Sequence, residues 1–118
     1  MQISILCVDD NEALLLTRKL VLERNGYHIV TATDAEQARR LFSDEQFDLV
    51  ILDYFLPGMR GDELCVEFRR SKPSVRVILI SGTLPDDNDC GCADSFILKG
   101  ESPALLLETI ASLVSKSA

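Results

Sequence analysis

The stretch ISILCVDD, at residues 3–10, is the first of four apolar runs that each end in a polar side chain. The other three are LVILD at 49–53, VILIS at 77–81 and FILK at 96–99. Short continuous apolar runs are typical of strands that are buried on both faces of a parallel sheet. Because parallel strands bring their C-terminal ends to one edge of the sheet, we expect these polar groups to meet there.

Longer amphipathic segments separate the apolar runs and predict helices. We expect four helices and one further strand, with the helices over about 12–25, 34–44, 62–71 and 103–114 and the strand over 27–32. Strands that alternate with helices through short connections form a parallel sheet covered on both faces. The predicted fold class is therefore α/β, a doubly wound five-stranded parallel sheet, with residues 54–61 irregular around Pro57-Gly58.

The segment GTLPDDNDCGCA, at residues 82–93, departs from this alternation. A helix is expected there, but Pro, Gly, Asn and Asp favour turns over helix interiors. We therefore predict a shortened or missing fourth helix. The spacing of its acidic residues does not fit an EF-hand loop, and Cys90 and Cys92 are a weak zinc signal that is better interpreted as reduced thiols.

Composition limits the classes of function. The 118 residues predict one domain over 1–118, and 12 basic against 19 acidic residues give a net charge of −7. This charge argues against sequence-independent binding of nucleic acid and against adhesion to an anionic membrane. The sequence has no run of transmembrane length and no signal peptide, so we expect a cytoplasmic protein.

The polar strand ends predict a metal site. If Asp9, Asp10 and Asp53 meet, their carboxylates repel one another unless a divalent cation lies between them, and oxygen ligands of this kind suit Mg²⁺. Lys99 at the end of the last run balances part of the acidic charge. Each residue has an alternative role: Asp9 and Asp10 in capping a helix, Ser81 and Lys99 as polar strand ends, and Phe96 as plain core.

Taken together, the spaced motifs resemble those of the response-regulator receiver domains of two-component signalling, over nearly the whole chain. The motifs are Asp9-Asp10 after the first strand, Asp53, Pro57 and Gly61 four and eight residues beyond it, Ser81, and Phe96 three residues before Lys99. Any one of them is weak, but their order on these strand ends is specific.

The resemblance implies that Asp53 accepts a phosphoryl group from a histidine kinase or phosphotransfer protein. Mg²⁺ would be bound by Asp10, Asp53 and the backbone carbonyl of Phe55, and partly through water by Asp9. Lys99 would pair with Asp53 and then with its phosphoryl group. Such a domain is not an enzyme in the usual sense, because it catalyses only its own phosphorylation and dephosphorylation.

The resemblance also implies a switch: Ser81 would donate a hydrogen bond to the phosphoryl group, and Phe96 would rotate inward. The signal would pass to a downstream protein target or effector domain, and a homodimer through Leu105 and Leu106 stays open. The chain departs from the family in two ways. Only 18 positions separate Ser81 from Lys99, and Gly100 stands where the family usually has proline.

Three other functions compete with this interpretation. A flavin-binding module would need a Gly/Ser/Thr-rich phosphate cradle after the first strand, where this chain has acidic residues. An aspartyl phosphohydrolase typically has a second Asp at the position of Phe55. A degenerate receiver acting as a phosphorylation-independent interaction module ranks below an active one because all the named acids and Lys99 are present. Phe55 itself leads to the hypothesis that its ring slows hydrolysis of the phosphoryl group.

Overall fold

A computed structural model describes residues 2–83 and 92–116 of the chain. Its elements in chain order are β1 (Ser4–Val8), α1 (Glu12–Arg24), β2 (His28–Ala32), α2 (Ala35–Asp44), β3 (Leu49–Asp53), β4 (Phe55–Leu56), β5 (Met59–Arg60), α3 (Gly61–Ser71), β6 (Arg76–Ser81), β7 (Ser95–Leu98) and α4 (Pro103–Lys116). Five parallel strands form one sheet in the order β2-β1-β3-β6-β7, which is the order of a flavodoxin-like doubly wound sheet. The predicted fold class is confirmed.

The core has two layers, one on each face of the sheet. Side chains alternate along a strand, so Leu6 and Val8 of β1 join the layer under α2 and α3. Ile5 and Cys7 join the opposite layer, under α1 and α4. Because both faces are covered, β1 from Ile5 onward and β3 are buried and continuously apolar until they reach their acidic ends.

Side-chain caps begin the first two helices. The side chain of Asn11 accepts a hydrogen bond from the backbone N of Leu14 at 3.1 Å, and that of Asp34 accepts one from the backbone N of Gln37 at 2.8 Å. Such caps contribute about 1 kcal/mol each. The side chain of Gln37 in turn accepts a hydrogen bond from the backbone N of Thr33 at 2.8 Å. In a capping box the donor would be the backbone N of the N-cap residue, Asp34, which follows Thr33.

Two local predictions are corrected. Residues 54–61 are not irregular, because β4 and β5 pair antiparallel around a turn in which Gly58 has a φ of 76°. The sequence pattern suggests that the leucines at 14–16 are core or packing residues, but Leu14 and Leu16 are 42% and 57% exposed. Successive helix residues are about 100° apart, so burial of Leu15 turns both of its neighbours away from the sheet.

Asp94, just before β7, links three elements. Its Oδ2 accepts a hydrogen bond from the backbone N of Val77 at 2.8 Å and pairs with the guanidinium of Arg69, and its Oδ1 lies 3.6 Å from Nη1 of Arg76. The backbone N of Asp94 donates to the carbonyl of Val77 at 2.9 Å. These contacts fix the start of β7 against β6 and α3.

Between β6 and β7, the prediction of a shortened helix falls mainly outside the described residues, as does Cys90. The described parts of the chain contain four helices, which fits that prediction. None of these helices has the length and apolar character needed to cross a bilayer.

Candidate functional site

Three acidic side chains meet at the carboxyl edge of the sheet. Asp9 follows β1, and Asp53 ends the neighbouring strand β3. Carboxylate oxygens of Asp9, Asp10 and Asp53 all lie within 4.8 Å of one another, with Asp9 and Asp53 buried and Asp10 exposed. The order of strands reverses between β1 and β3, and this is the point where sheets of this type bind ligands.

Lys99, which follows β7, brings its ammonium group to this cluster. Its Nζ lies 3.0 Å from Oδ2 of Asp53 and 3.6 Å from Oδ2 of Asp9. Its backbone N donates a hydrogen bond to the carbonyl of Ser81 at 2.7 Å. The structure thus brings Lys99 together with both of the buried acids.

The surroundings of Asp53 disfavour the ionised form of its carboxyl group. Burial raises the pKa of its carboxyl group above the ordinary value, and the negative charge of Asp9 raises it further. The hydrogen bond from Lys99 opposes this shift, as does a 3.3 Å bond from the backbone N of Phe55 to Oδ1. A cation added to the cluster would stabilise the ionised form.

The donor set fits a hard divalent metal. Oδ1 of Asp9 accepts a hydrogen bond from the backbone N of Asn11 at 2.9 Å, but the buried Oδ2 has no hydrogen-bond partner among the described residues. An unsatisfied buried carboxylate oxygen is costly, and Mg²⁺ binds oxygen ligands of this kind.

The role of the Phe55 carbonyl as a ligand stays a prediction. The Phe55 side chain is 57% exposed and packs edge-on against the ring of Tyr54, with 4.8 Å between centroids.

Of the two predicted switch residues, Ser81 lies next to the cluster and Phe96 lies on β7, three residues before Lys99. Ile80 is the partner of Asp53 in the β3–β6 register, which places Ser81 one residue beyond it. Ser81 is buried, and its Oγ accepts a hydrogen bond from the backbone N of Thr83 at 3.3 Å. Phe96 is half-buried against the layer under α2 and α3. The switching roles of both residues remain predictions.

A steric contact requires glycine at position 61, and the spacing of Gly61 from Asp53 in the sequence did not reveal this. A Cβ atom on Gly61 would lie 2.3 Å from the backbone carbonyl oxygen of Asp53, well inside the contact limit. The backbone N of Gly61 donates to the carbonyl of Tyr54 at 2.6 Å. The first turn of α3 therefore packs directly against the end of β3, and only glycine fits there.

Arg18 of α1 was missed in the sequence and belongs to the site. Its Nη1 lies 3.6 Å from Oδ2 of Asp9, and its side chain is only 12% exposed. One signal was present: Arg18 is three residues after Leu15 and four before Leu22, on the buried flank of a helix. A charged residue at such a position needs a buried partner.

Comparison with known proteins agrees with this geometry. A family profile described as response regulator receiver domain matches residues 5–111. The alkaline phosphatase synthesis transcriptional regulatory protein PhoP of Bacillus subtilis is 31% identical over 117 residues, which cover 96% of this chain and 49% of that protein. The chain thus spans about half the length of this relative.

Two solved structures are also similar. A CheY-like receiver domain protein from Methanospirillum hungatei is 31% identical with a TM-score of 0.93, over 99% of this chain and 97% of that one. TrrA of Thermotoga maritima, in complex with Mg²⁺-BeF, is 33% identical with a TM-score of 0.89, over 96% and 99%. With its matching family profile, strand order and acidic edge, this chain belongs to the response regulator receiver domain family.

Proposed function

We propose that Asp53 is the phosphoacceptor of this receiver domain and that residues 1–118 form a single such domain. One observation carries the proposal: the buried carboxylate of Asp53 meets those of Asp9 and Asp10 and accepts a hydrogen bond from Lys99. In the proposed role, Asp53 is the nucleophile, the neighbouring carboxylates would hold the metal, and Lys99 supplies a cation. Receiver domains are signalling domains, and the reaction proposed here modifies the domain itself.

The phosphoryl donor is a phosphohistidine on a histidine kinase or phosphotransfer protein. A carboxylate oxygen of Asp53 attacks phosphorus, a P–O bond forms as the P–N bond breaks, and the imidazole nitrogen keeps the electron pair. The product is an acyl phosphate, whose phosphoryl group bears a charge of about −2 in place of the single charge of the carboxylate.

Asp10, Asp53 and the Phe55 carbonyl would bind Mg²⁺, and Asp9 would reach it partly through water. The metal would neutralise charge on the transferring oxygens. Lys99 is close enough to Asp53 to stay paired with the group after transfer, because its Nζ already donates to Oδ2. The unsatisfied Oδ2 of Asp9 and the Mg²⁺-BeF complex of TrrA support the choice of metal.

The modified site would act on a partner through Ser81 and Phe96. Ser81 donates a hydrogen bond to the phosphoryl group, and the half-buried ring of Phe96 moves further into the layer under α2 and α3. Downstream of this switch lies a protein target or an effector domain. A cytoplasmic location is part of the proposal, and the free thiols of Cys7, Cys65 and Cys92 fit a reducing compartment.

The test is the intact mass of the protein after incubation with acetyl phosphate, with and without Mg²⁺. A single phosphate adduct is expected in wild type with Mg²⁺ and in the control variant Asp44→Ala, which changes an exposed acid on α2. No adduct is expected in Asp53→Ala. Absence of any adduct in wild type would instead indicate a receiver that binds its partners without phosphorylation.

A further inference from the structure

Arg18 places a second cation against the acidic cluster. Its Nη1 and Oδ2 of Asp9 are both buried, 3.6 Å apart, and neither has a hydrogen-bond partner among the described residues. The interaction between the two groups is therefore one of charge. Removing one partner of a buried ion pair leaves the other less compensated, so Asp9 depends in part on Arg18 when no metal is bound.

The same oxygen of Asp9 lies 3.6 Å from Nζ of Lys99. Lys99 is nearer to Asp53, at 3.0 Å, and donates its hydrogen bond there. In this arrangement Arg18 pairs with Asp9, whereas Lys99 is shared between Asp9 and Asp53. Three carboxylates face two cations, so one negative charge at the site is unbalanced.

We propose that Arg18 is an internal counterion that sets the affinity of the acidic cluster for divalent metal. This inference rests on the proposed function, in which the cluster binds Mg²⁺. Before the metal binds, the guanidinium group stabilises the buried carboxylate of Asp9. When the metal binds, the same positive charge repels it at short range, so Arg18 lowers the metal affinity. Arg18 is a positioning residue in this account, because it acts through Asp9.

The surroundings of Arg18 give its side chain room to respond. It lines a cavity of about 270 Å³ between α1 and the start of α4, together with Lys99 and apolar side chains that include Leu14, Ile97 and Leu106. The guanidinium group can retreat into this space from Asp9 as a divalent cation arrives. The loss of the contact with Asp9 on that retreat contributes to the reduced affinity.

Calorimetric titration of Mg²⁺ into the metal-free chain tests the inference. Arg18→Met removes the charge but keeps an unbranched apolar side chain, and it is expected to bind Mg²⁺ ~10-fold more tightly than wild type. Arg18→Lys keeps the charge and is expected to bind as wild type does. Lys19→Met is the matched control, because it removes one positive charge from the next position of α1, and its affinity should stay close to that of wild type.

Thermal unfolding gives a second readout that does not depend on phosphorylation. In EDTA, Arg18→Met is expected to melt below wild type, because Asp9 has lost one of the two cations beside it. Saturating Mg²⁺ should close most of this gap by supplying the missing charge. If Arg18→Met does not fold without metal, Arg18→Gln, a polar neutral variant, is used in both experiments with the same expected directions.

The outcomes separate this inference from the proposed function. Mg²⁺ binding by wild type with unchanged affinity in Arg18→Met, or a loss of stability that Mg²⁺ does not reduce, would make Arg18 a structural ion pair only and overturn the inference. Failure of both proteins to bind Mg²⁺ would overturn the metal site and the inference with it. Tighter binding in Arg18→Met but not in Lys19→Met supports it.

Discussion

Nζ of Lys99 lies 3.0 Å from Oδ2 of Asp53, although the two residues stand at the ends of strands that are not neighbours. β6 separates β7 from β3, so the side chain of Lys99 crosses the end of an intervening strand. Adjacent strands are about 4.8 Å apart, and a side chain must be long to cover two such spacings. Lysine suits this position because its side chain is long enough to cross the end of β6 and carries a positive charge.

Replacing Lys99 by Met should slow phosphorylation without preventing folding. The change removes the cation that contacts Asp53 and, in the proposed reaction, the transferred phosphoryl group. Loss of one preorganised electrostatic contact at a reacting group lowers the rate by ~100-fold. The measurement is the rate of adduct formation with acetyl phosphate by intact mass. A rate equal to that of wild type would show that Lys99 has no part in the transfer.

Replacing Asp53 by Asn should stabilise the metal-free chain at neutral pH. Folding raises the pKa of Asp53. Above the pKa that Asp53 has in the folded state, its ionised carboxylate therefore lowers the free energy of unfolding, and below the pKa that it has in the unfolded state this loss disappears. The variant is therefore expected to have a higher free energy of unfolding than wild type. Urea unfolding in EDTA measures this difference, which should shrink as the pH falls through that window. A variant less stable than wild type at neutral pH would contradict the argument.

Gly61→Ala should destabilise the fold and disturb the site together. The added Cβ would lie 2.3 Å from the carbonyl oxygen of Asp53, so the backbone of β3 or α3 must move. We expect a loss of about 3 kcal/mol in free energy of unfolding, as for other overpacked positions. The matched control is Gly82→Ala, where a Cβ meets nothing within 4 Å, and the two are compared by urea unfolding. Equal effects of the two changes would mean that the contact at Gly61 is relieved at little cost.

Phe55→Asn should shorten the lifetime of the phosphorylated form several-fold. The ring is exposed two residues beyond Asp53, where an apolar group can limit the approach of water to an acyl phosphate. The measurement is loss of the phosphate adduct with time by intact mass. Val66→Asn, which changes an exposed apolar residue on α3, is the control. An unchanged half-life in Phe55→Asn would reject a shielding role.

The fold and most of the candidate site were predictable because they depend on local patterns. Apolar runs such as LVILD identify buried strands, and the polar residue after each run marks one edge of the sheet. Asp9, Asp10, Asp53 and Lys99 were found in this way and do lie together.

What the sequence did not reveal depends on contacts between distant elements. The position of Arg18 between Leu15 and Leu22 indicates only that it lies on the buried flank of α1, and its partner Asp9 is found only when α1 is placed against β1. Likewise, the contacts of Asp94 with Val77, Arg69 and Arg76 are found only when β6, β7 and α3 are assembled. The β4–β5 hairpin spans too few residues for alternation of side chains to indicate it.

Cys7 lies in β1 two residues before Asp9, fully buried, and burial raises the pKa of its thiol to about 12. A thiol in this state reacts with alkylating reagents only when the strand around it opens. The rate at which Cys7 is alkylated in the native protein therefore reports the free energy of opening of the strand that holds Asp9. A ligand that binds at the end of β1 and stabilises this strand would slow that alkylation. The alkylation rate of Cys7 therefore measures whether the acidic site is occupied.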